Sequence, residues 1–252
     1  MIAPGRRRSF QRRVLDWYAV HGRDLPWRRT RDPYAILVSE ILSHQTQISR
    51  VVPVYRRVLR RYPTVQAMAR APLAEVKALT DPLGYKIRGQ WLHGAALQVA
   101  DRFAGAFPES LEQLQRLPGV GRYTAGAVMN FAHGRDAPVL DTNVARLLRR
   151  HFGVELAARS RSAELWRLAA EVIPRGKGYL INQGLMDLGA LVCRSRSPRC
   201  EVCPLRRSCS FRRGTAGVAP TPALAPNTRS GPRRPPAPRP ARLRRGRPVR
   251  SA

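Results

Sequence analysis

The stretch Leu117–Tyr123, with the sequence LPGVGRY, decides the fold. It lies between a helical pattern that starts at a Ser110 cap and a second helical pattern that follows it directly. Gly119 and Gly121 allow a tight backbone turn, and the bare amides at the start of the next helix can bind a phosphate. Residues 111–131 are therefore predicted to form a helix–hairpin–helix motif, in which the two glycines contact a DNA backbone without reading its sequence.

Two other structures can use such a pair of glycines. A dinucleotide-binding loop needs a third glycine at position 124, a preceding strand and a later acidic residue. Thr124 occupies that position and a helical pattern precedes the stretch, which argues against such a loop. An ordinary interhelical turn built on Pro118 and Gly119 remains the alternative.

Helical patterns continue on both sides of the hairpin, and no convincing run of residues alternates as a strand does. The chain is therefore predicted to be all-α. A first helix carries an apolar stripe after a Ser9 cap, and a second helix opens at Asp32–Pro33. The other predicted helices are Thr64–Arg70, Pro72–Leu79, Ile87–Phe103, Leu111–Leu117, Arg122–Phe131, Thr142–Phe152, Ala163–Val172 and Tyr179–Val192.

The charge of the chain is strongly positive, since 46 Lys and Arg against 16 Asp and Glu give a formal charge of +30. Such an excess of positive charge favours binding to a polyanion, and nucleic acid is the expected partner. Residues 214–252 contain nine arginines, many prolines and no acidic residue. They are predicted to be a disordered basic tail behind a folded unit over 1–213. The tail either adds affinity for phosphates or is a dispensable extension.

The chain shows no sign of export or of a membrane span. The basic start is not followed by the apolar segment of a secretory signal. No apolar run approaches the roughly 18 residues that a span requires. With cysteines expected to be reduced, the sequence predicts a cytoplasmic, nucleoid-associated protein.

All four cysteines lie near the end of the predicted folded unit: Cys193, Cys200, Cys203 and Cys209, separated by six, two and five residues. Four thiolates in one short stretch can enclose a tetrahedral zinc ion or a cubane iron–sulfur cluster. Structural zinc usually has two close Cys-x2-Cys pairs, and here only Cys200 and Cys203 form one. The unequal gaps favour the iron–sulfur cluster. Four free thiols or two disulfides are the remaining alternatives, and disulfides need a secreted context.

Two acidic residues are candidates for chemistry. Glu40 lies among aliphatic residues in the second helix, where partial burial would raise its pKa and make it a usable general acid. An exposed helical glutamate is the alternative. Asp141 directly precedes the helix over 142–152, where aspartate is a favoured N-cap. The field of the helix N-terminus would keep this carboxylate ionised, as a cationic sugar transition state requires.

Tyr123 follows the hairpin, and no lysine lies within 30 residues of it. An enzyme that forms a Schiff base with a sugar aldehyde needs an amine nucleophile, and arginine stays protonated. Lys77, Lys86 and Lys177 are the only lysines of the chain, and none of them is on the hairpin. Hydrolysis by water is therefore favoured over lyase chemistry.

Short motifs extend across most of the chain. They are Leu25–Arg28 (LPWR), Ser39–Leu42 (SEIL) with Gln45–Gln47 (QTQ), Leu83–Tyr85 (LGY), Leu117–Tyr123, Leu140–Asp141 with Asn143–Val144, Met186–Gly189 (MDLG) and the four cysteines. As a set they resemble the iron–sulfur DNA glycosylases of the helix–hairpin–helix superfamily, to which endonuclease III belongs. The MutY-type adenine DNA glycosylases look closest. The cysteine spacing matches the [4Fe–4S] loop of that family residue for residue.

The resemblance implies a monomer of two helical subdomains, with mismatched or oxidised double-stranded DNA bound across the cleft and the target base flipped into it. One subdomain would hold six helices over about 30–138, and the other the N-terminal helix with 139–213, including the cluster loop at 193–209. The implied activity is that of a monofunctional DNA glycosylase of base excision repair. Such an enzyme hydrolyses the N-glycosidic bond of adenine mispaired with 8-oxoguanine or guanine.

The resemblance also assigns roles by matching position. Glu40 would protonate the leaving base, Asp141 would stabilise the oxocarbenium-like sugar, and Tyr123 would lie in the base pocket. Gln45 and Tyr85 would wedge into the duplex. The cysteines would bind a [4Fe–4S] cluster that serves structure and DNA affinity.

Three departures from the family pattern bear on specificity. His44 replaces the first Gln of Gln-Gln-Thr-Gln, and Thr142 replaces the Gly of Leu-Asp-Gly-Asn. The family's C-terminal domain, which recognises 8-oxoguanine, has no visible counterpart, because residues 214–252 are few and rich in Pro and Arg. A thymine or uracil glycosylase acting on T:G or U:G mismatches is therefore the main alternative. A DNA-binding iron–sulfur protein without catalysis is a third.

Overall fold

The computed structural model describes residues 2–154 and 163–214, and within these ranges the protein is helical and contains no β-strand. This confirms the all-α prediction. The α-helices are α1 (Pro4–His21), α2 (Pro33–Ser43), α3 (Ile48–Arg61), α4 (Val65–Ala69), α5 (Leu73–Thr80), α6 (Arg88–Phe103), α7 (Leu111–Leu114), α8 (Arg122–Phe131), α9 (Thr142–Phe152), α10 (Ala163–Glu171) and α11 (Gly178–Leu191).

The predicted basic tail lies, apart from Gly214, outside the described residues. Among the residues that are described, no helix combines the length and the apolar character needed to cross a membrane.

The first hydrophobic core surrounds α2, in which every residue from Tyr34 to Leu42 is buried. The helix starts where the sequence predicts, because the Asp32 carboxylate accepts hydrogen bonds from the backbone N–H groups of Tyr34 and Ala35 at 3.0 and 3.3 Å. Pro33 occupies the first helical position, where its missing N–H has no consequence. Buried side chains from α3 to α8 complete this core.

The second hydrophobic core joins the two ends of the described chain. Buried side chains of α1 pack with those of α9, α10 and α11 and with Leu205 of the cysteine-containing segment. Met186 of α11 is half-buried and packs against both cores. The middle of α11 therefore lies beside the first core, which brings Asp187 towards α2.

Helix α3 is absent from the sequence prediction. Its buried residues Val51, Val54, Tyr55 and Val58 follow the spacing of a helical stripe. Pro53 lies inside this helix, although proline normally interrupts a helix because it lacks an N–H and crowds the preceding turn. The apolar stripe outweighs the proline here, and burial against α2 stabilises the helix.

Several predicted helix ends are displaced. Helix α1 begins at Pro4 rather than after a Ser9 cap, because proline is favoured in a first helical turn and no side-chain cap is needed. Helix α7 ends at Leu114 rather than Leu117. The hairpin itself starts within the residues that the sequence pattern assigned to that helix.

Candidate active site

Glu40 is the buried acid of the first core. Its position in α2 places it among apolar residues, and it is 6% exposed, so the structure decides for burial, which the sequence left open, and the exposed alternative is wrong. Burial raises the pKa of Glu40 from 4.5 to about 7. A hydrogen bond from Tyr123 lowers this pKa, the charge of Asp141 raises it, and the charge of Arg28 lowers it.

Tyr123 lies in the first turn of α8, directly after the hairpin. Its hydroxyl lies close enough to the Glu40 carboxylate to lower the pKa of that acid. Burial raises the pKa of Tyr123 well above its ordinary value, and the negative charges of Glu40 and Asp141 raise it further. The phenol therefore stays a hydrogen-bond donor at every physiological pH.

Asp141 is the N-cap of α9. Its carboxylate accepts hydrogen bonds from the backbone N–H of Val144 at 2.7 Å and from the Asn143 amide at 3.0 Å. The predicted capping role is thus confirmed. The same carboxylate is near enough to raise the pKa values of Glu40 and Tyr123, so the structure brings the three predicted catalytic residues into one electrostatic group.

A buried ion pair lies beside this group, and the sequence analysis gave it no role. The Arg28 guanidinium donates two hydrogen bonds, each of 2.8 Å, to the carboxylate of Asp187 in α11. Arg23 adds bonds from its backbone N–H at 2.9 Å and its Nε at 2.8 Å. Asp187 is fully buried. Arg28 belongs to the LPWR motif and Asp187 to the MDLG motif. The chain contains few acids, so an Arg and an Asp in two separate motifs are the sequence signal that could have predicted this pair.

The hairpin has the geometry that its glycines suggest. Gly119 has φ of +75°, and a Cβ there would lie 2.7 Å from the Trp91 side chain, so only glycine fits. Gly121 is the N-cap of α8, and a Cβ added to it would meet nothing within 4 Å. This exposed start of α8 therefore leaves room for a ligand from solvent.

Trp91 of α6 connects the hairpin with the two predicted wedge positions. Its ring contacts Tyr85 edge-on, with the ring centroids 5.5 Å apart, and contacts His44 at 5.8 Å. The His44 imidazole Nε2 lies 3.5 Å from the Thr124 hydroxyl of α8. Gln45 follows in an exposed turn with the left-handed φ of +53°. Hairpin, Tyr85 and the Gln45 turn thus surround one half-buried tryptophan.

The four cysteines line one hollow, whose volume is about 330 Å³ including its solvent-open part. Arg150 also lines it, with a guanidinium nitrogen 3.7 Å from the Cys193 Sγ. All four cysteines are unpaired, which makes the disulfide alternative wrong in this structure. Burial raises the pKa of Cys203 to about 11, so a metal centre bound here displaces protons from thiols.

Among the described residues, no three His, Cys, Asp or Glu side chains lie close enough together to bind a single metal ion. Four thiols can bind either a tetrahedral zinc ion or an iron–sulfur cluster.

Comparison with known proteins identifies the family. Residues 38–171 match the family described as HhH-GPD superfamily base excision DNA repair protein. The chain belongs to this superfamily. It is a DNA glycosylase of base excision repair, and the helix–hairpin–helix prediction is confirmed.

Relatives with two specificities are similar to the chain to the same degree. The chain is 39% identical over 213 residues to the thymine-DNA glycosylase of Aeropyrum pernix, an alignment that covers 82% of this chain and 96% of that protein. It is 40% identical over 215 residues to the adenine DNA glycosylase of Homo sapiens, covering 81% of this chain but 39% of that protein.

Solved structures show the same fold. A thermostable thymine-DNA glycosylase superposes with a TM-score of 0.78 at 34% identity, over 83% of this chain and 98% of that chain. Endonuclease III in a trapped covalent complex with DNA gives a TM-score of 0.74 at 24% identity, over 85% of this chain and 99% of that chain. The second match supports the fold alone.

Proposed function

We propose that the protein removes adenine mispaired with 8-oxoguanine or guanine by hydrolysing the N-glycosidic bond. The observation that carries the proposal is the buried Glu40, whose pKa is raised to about 7. A carboxyl group with this pKa is about half protonated at neutral pH and can donate its proton to a leaving base. Adenine leaves poorly unless a ring nitrogen is protonated, so this acid suits a purine substrate.

The proposed reaction uses two carboxyl groups in different protonation states. Glu40 transfers its proton to a ring nitrogen of the flipped adenine, and the bond between C1′ and the base breaks with its electrons going to the base. The Asp141 carboxylate stabilises the positive charge on the sugar. A water molecule then attacks C1′ to leave an abasic site, and the proton that it releases returns to Glu40. Tyr123 orients Glu40 through its hydroxyl.

DNA binding is proposed to use the surface around Trp91. The amide of Gly121 and the turn at Gly119 would bind the backbone phosphate of the damaged strand. Gln45 and Tyr85 would enter the duplex and replace the stacking of the flipped base. In this proposal a monomer binds DNA between a subdomain over about 30–138 and a subdomain made of α1 with 139–213.

The hollow lined by Cys193, Cys200, Cys203 and Cys209 is proposed to hold a [4Fe–4S] cluster. All four donors are thiols, as such a cluster requires. Bound there, it would tie the C-terminal segment to α9 and α11 and would contribute to DNA affinity rather than to hydrolysis.

Excision of thymine or uracil from mispairs with guanine is the second candidate. The observation that favours it is the relative named thymine-DNA glycosylase, which the chain matches over 96% of that protein's length. A pyrimidine base leaves as a resonance-stabilised anion and depends less on a general acid. The two candidates therefore differ in how much the reaction needs Glu40.

A single-turnover excision assay on duplexes with A:8-oxoG, A:G, T:G and U:G pairs tests the proposal. Each sample is divided and treated with or without hot alkali, which cleaves the strand at abasic sites. We expect alkali-dependent cleavage at adenine. Glu40→Gln is expected to bind DNA normally and to lose about 10²- to 10⁴-fold in rate, the usual contribution of a general acid.

Cleavage at T:G or U:G alone would establish the second candidate and contradict the adenine proposal. Full adenine excision by Glu40→Gln would remove the acid role from this residue. Strand cleavage before alkali treatment would contradict the hydrolytic mechanism, because it indicates lyase chemistry.

A further inference from the structure

Arg88, in the first turn of α6, is completely buried although it carries a charge. Burial lowers the pKa of Arg88, and the positive charge of Arg50 lowers it further. No carboxylate forms an ion pair with it among residues 2–154 and 163–214. A buried cation without a carboxylate is unfavourable for stability, so stability does not account for an arginine at this position.

The hydrogen bonds of Arg88 clamp the turn that presents Gln45. One guanidinium nitrogen, Nη2, donates to the backbone carbonyl of His44 and to the hydroxyl of Thr46. These two acceptors flank Gln45, whose left-handed φ of +53° is unfavourable for a residue with a Cβ. Arg88 therefore fixes both ends of a strained single-residue bend.

The same guanidinium also contacts the second predicted wedge residue. Its central carbon lies 5.5 Å from the centroid of the Tyr85 ring, a cation–π distance. On its other side, Tyr85 packs edge-on against Trp91. The Nε and Nη1 atoms of Arg88 have no hydrogen-bond partner among the described residues, so its polar contacts are concentrated on the Gln45 turn.

We propose that Arg88 is a positioning residue that locks Gln45 and Tyr85 in one fixed relation, so that both enter the duplex together when the target base flips. The inference rests on the proposed wedge roles of these two residues. Arg88 acts before the bond breaks and contributes nothing to the acid chemistry of Glu40. Its removal therefore slows flipping and leaves the catalytic group intact.

Arg88→Met in the full chain tests this positioning role. Methionine keeps an unbranched stem of similar length and removes every donor. We expect a thermal midpoint equal to or above that of the unmodified protein, since an unpaired buried charge is lost. Base flipping is read from the fluorescence of 2-aminopurine placed next to the target adenine, which rises when its neighbour unstacks. We expect flipping and single-turnover excision at A:8-oxoG to fall about 10- to 100-fold, as misplaced substrates do.

A second substrate separates positioning from general damage. When the target adenine faces an abasic-site analogue, the base is unpaired and flipping needs less help. The loss in Arg88→Met is expected to be much smaller on this duplex. Equal losses on the two duplexes, or unchanged flipping on A:8-oxoG, would overturn the proposal. Arg102→Met, an exposed position at the other end of α6, controls for the loss of one positive charge.

A double-mutant cycle tests the route through the Gln45 turn. Thr46→Val removes one of the two acceptors of Arg88 and is expected to lose part of the flipping rate. In the Arg88→Met background the same change should bring no further loss, because the hydrogen bond is already absent. Additive losses would contradict the clamp. If Arg88→Met does not fold, Arg88→Lys, which keeps the charge and one donor, is expected to fold and to show an intermediate loss.

The fluorescence readout keeps this inference separate from the proposed function. If the unmodified protein excises only thymine or uracil, the proposed adenine specificity fails, and the flipping comparison is made on the T:G or U:G duplex. If flipping in Arg88→Met is then normal, the inference fails by itself.

Discussion

Two buried carboxyl groups, Glu40 and Asp187, have opposite protonation behaviour. Burial raises the pKa of Glu40 to about 7. Burial also acts to raise the pKa of Asp187, but hydrogen bonds from Arg28 and Arg23 outweigh it and lower this pKa below its ordinary value. The difference lies in the neighbours, because two arginines donate hydrogen bonds to Asp187, whereas the neighbouring side chain that lowers the pKa of Glu40 most is that of neutral Tyr123.

Arg28 acts on both carboxyl groups. Its charge lowers the pKa of Glu40, yet both of its terminal nitrogens are engaged by Asp187. Asp187 thus neutralises the cation that would otherwise ionise the acid. A residue that looks purely structural therefore keeps the neighbouring carboxyl group available as a proton donor.

Asp187→Asn should have the largest effect on stability. The change leaves Arg28, whose side chain is 7% exposed, as a buried charge without a counter-ion. Breaking a buried pair in this way typically costs about 3–5 kcal/mol, which denaturant unfolding at pH 7 would measure. Asp24→Asn is the matched control, because its pair with Arg29 is exposed on both sides and is expected to contribute nothing measurable.

The same variant tests the link between the two carboxyl groups. Without Asp187 the charge of Arg28 acts on Glu40 alone, so the pKa of Glu40 should fall. The pH above which adenine excision declines should fall with it. An Asp187→Asn protein that is as stable as the unmodified chain would show that Arg28 is solvated. Ion pairing with Arg28 would then not explain why Asp187 is ionised while Glu40 holds its proton.

Glu40→Gln should stabilise the protein, with an effect that depends on pH. The folded protein holds the Glu40 proton up to about pH 7, whereas the ordinary pKa is 4.5. Between these values the unfolded chain binds fewer protons, so the free energy of unfolding falls as pH rises. At pH 8 the buried charge costs about 3 kcal/mol, and glutamine avoids this cost.

Unfolding curves of both proteins between pH 4 and pH 9 measure this difference. It should be near zero at pH 4, should increase through pH 7 and should then stay constant. Glu112→Gln removes one exposed carboxylate from α7 and should show no such increase. A constant difference across the range would mean that Glu40 is not buried as an acid.

The sequence predicted the local features of the site more fully than the long-range ones. The cap at Asp32, the cap at Asp141 and the tight turn at Gly119 each depend on a few adjacent residues, and the structure contains all three. The sequence left the burial of Glu40 open. A single polar residue in an apolar helix can face solvent or the core, and only the neighbouring helices determine which. Glu40 is buried because other helices pack on all sides of α2.

Contacts between distant segments were not predicted from the sequence. Arg28 and Asp187 are separated by 159 positions, and Arg88 reaches a turn 42 to 44 positions earlier. Each arginine is one among many in this chain, so composition gives no reason to select it. Helix α3 was missed for a different reason, since Pro53 interrupts an otherwise regular apolar stripe.

Tyr123→Phe should have the smallest of these effects, a shift in the pKa of Glu40. The Tyr123 hydroxyl stabilises the ionised carboxylate, so its loss should raise the pKa of Glu40 further. The alkaline limb of the excision rate should move to higher pH by about one unit or less. Tyr34→Phe is the control, because it removes another buried hydroxyl from the same core, one that bonds to the Tyr62 carbonyl at 2.8 Å, without touching Glu40. A shift of the limb to lower pH would mean that the phenol holds the proton on Glu40, and the orientation of this hydrogen bond would have to be reversed.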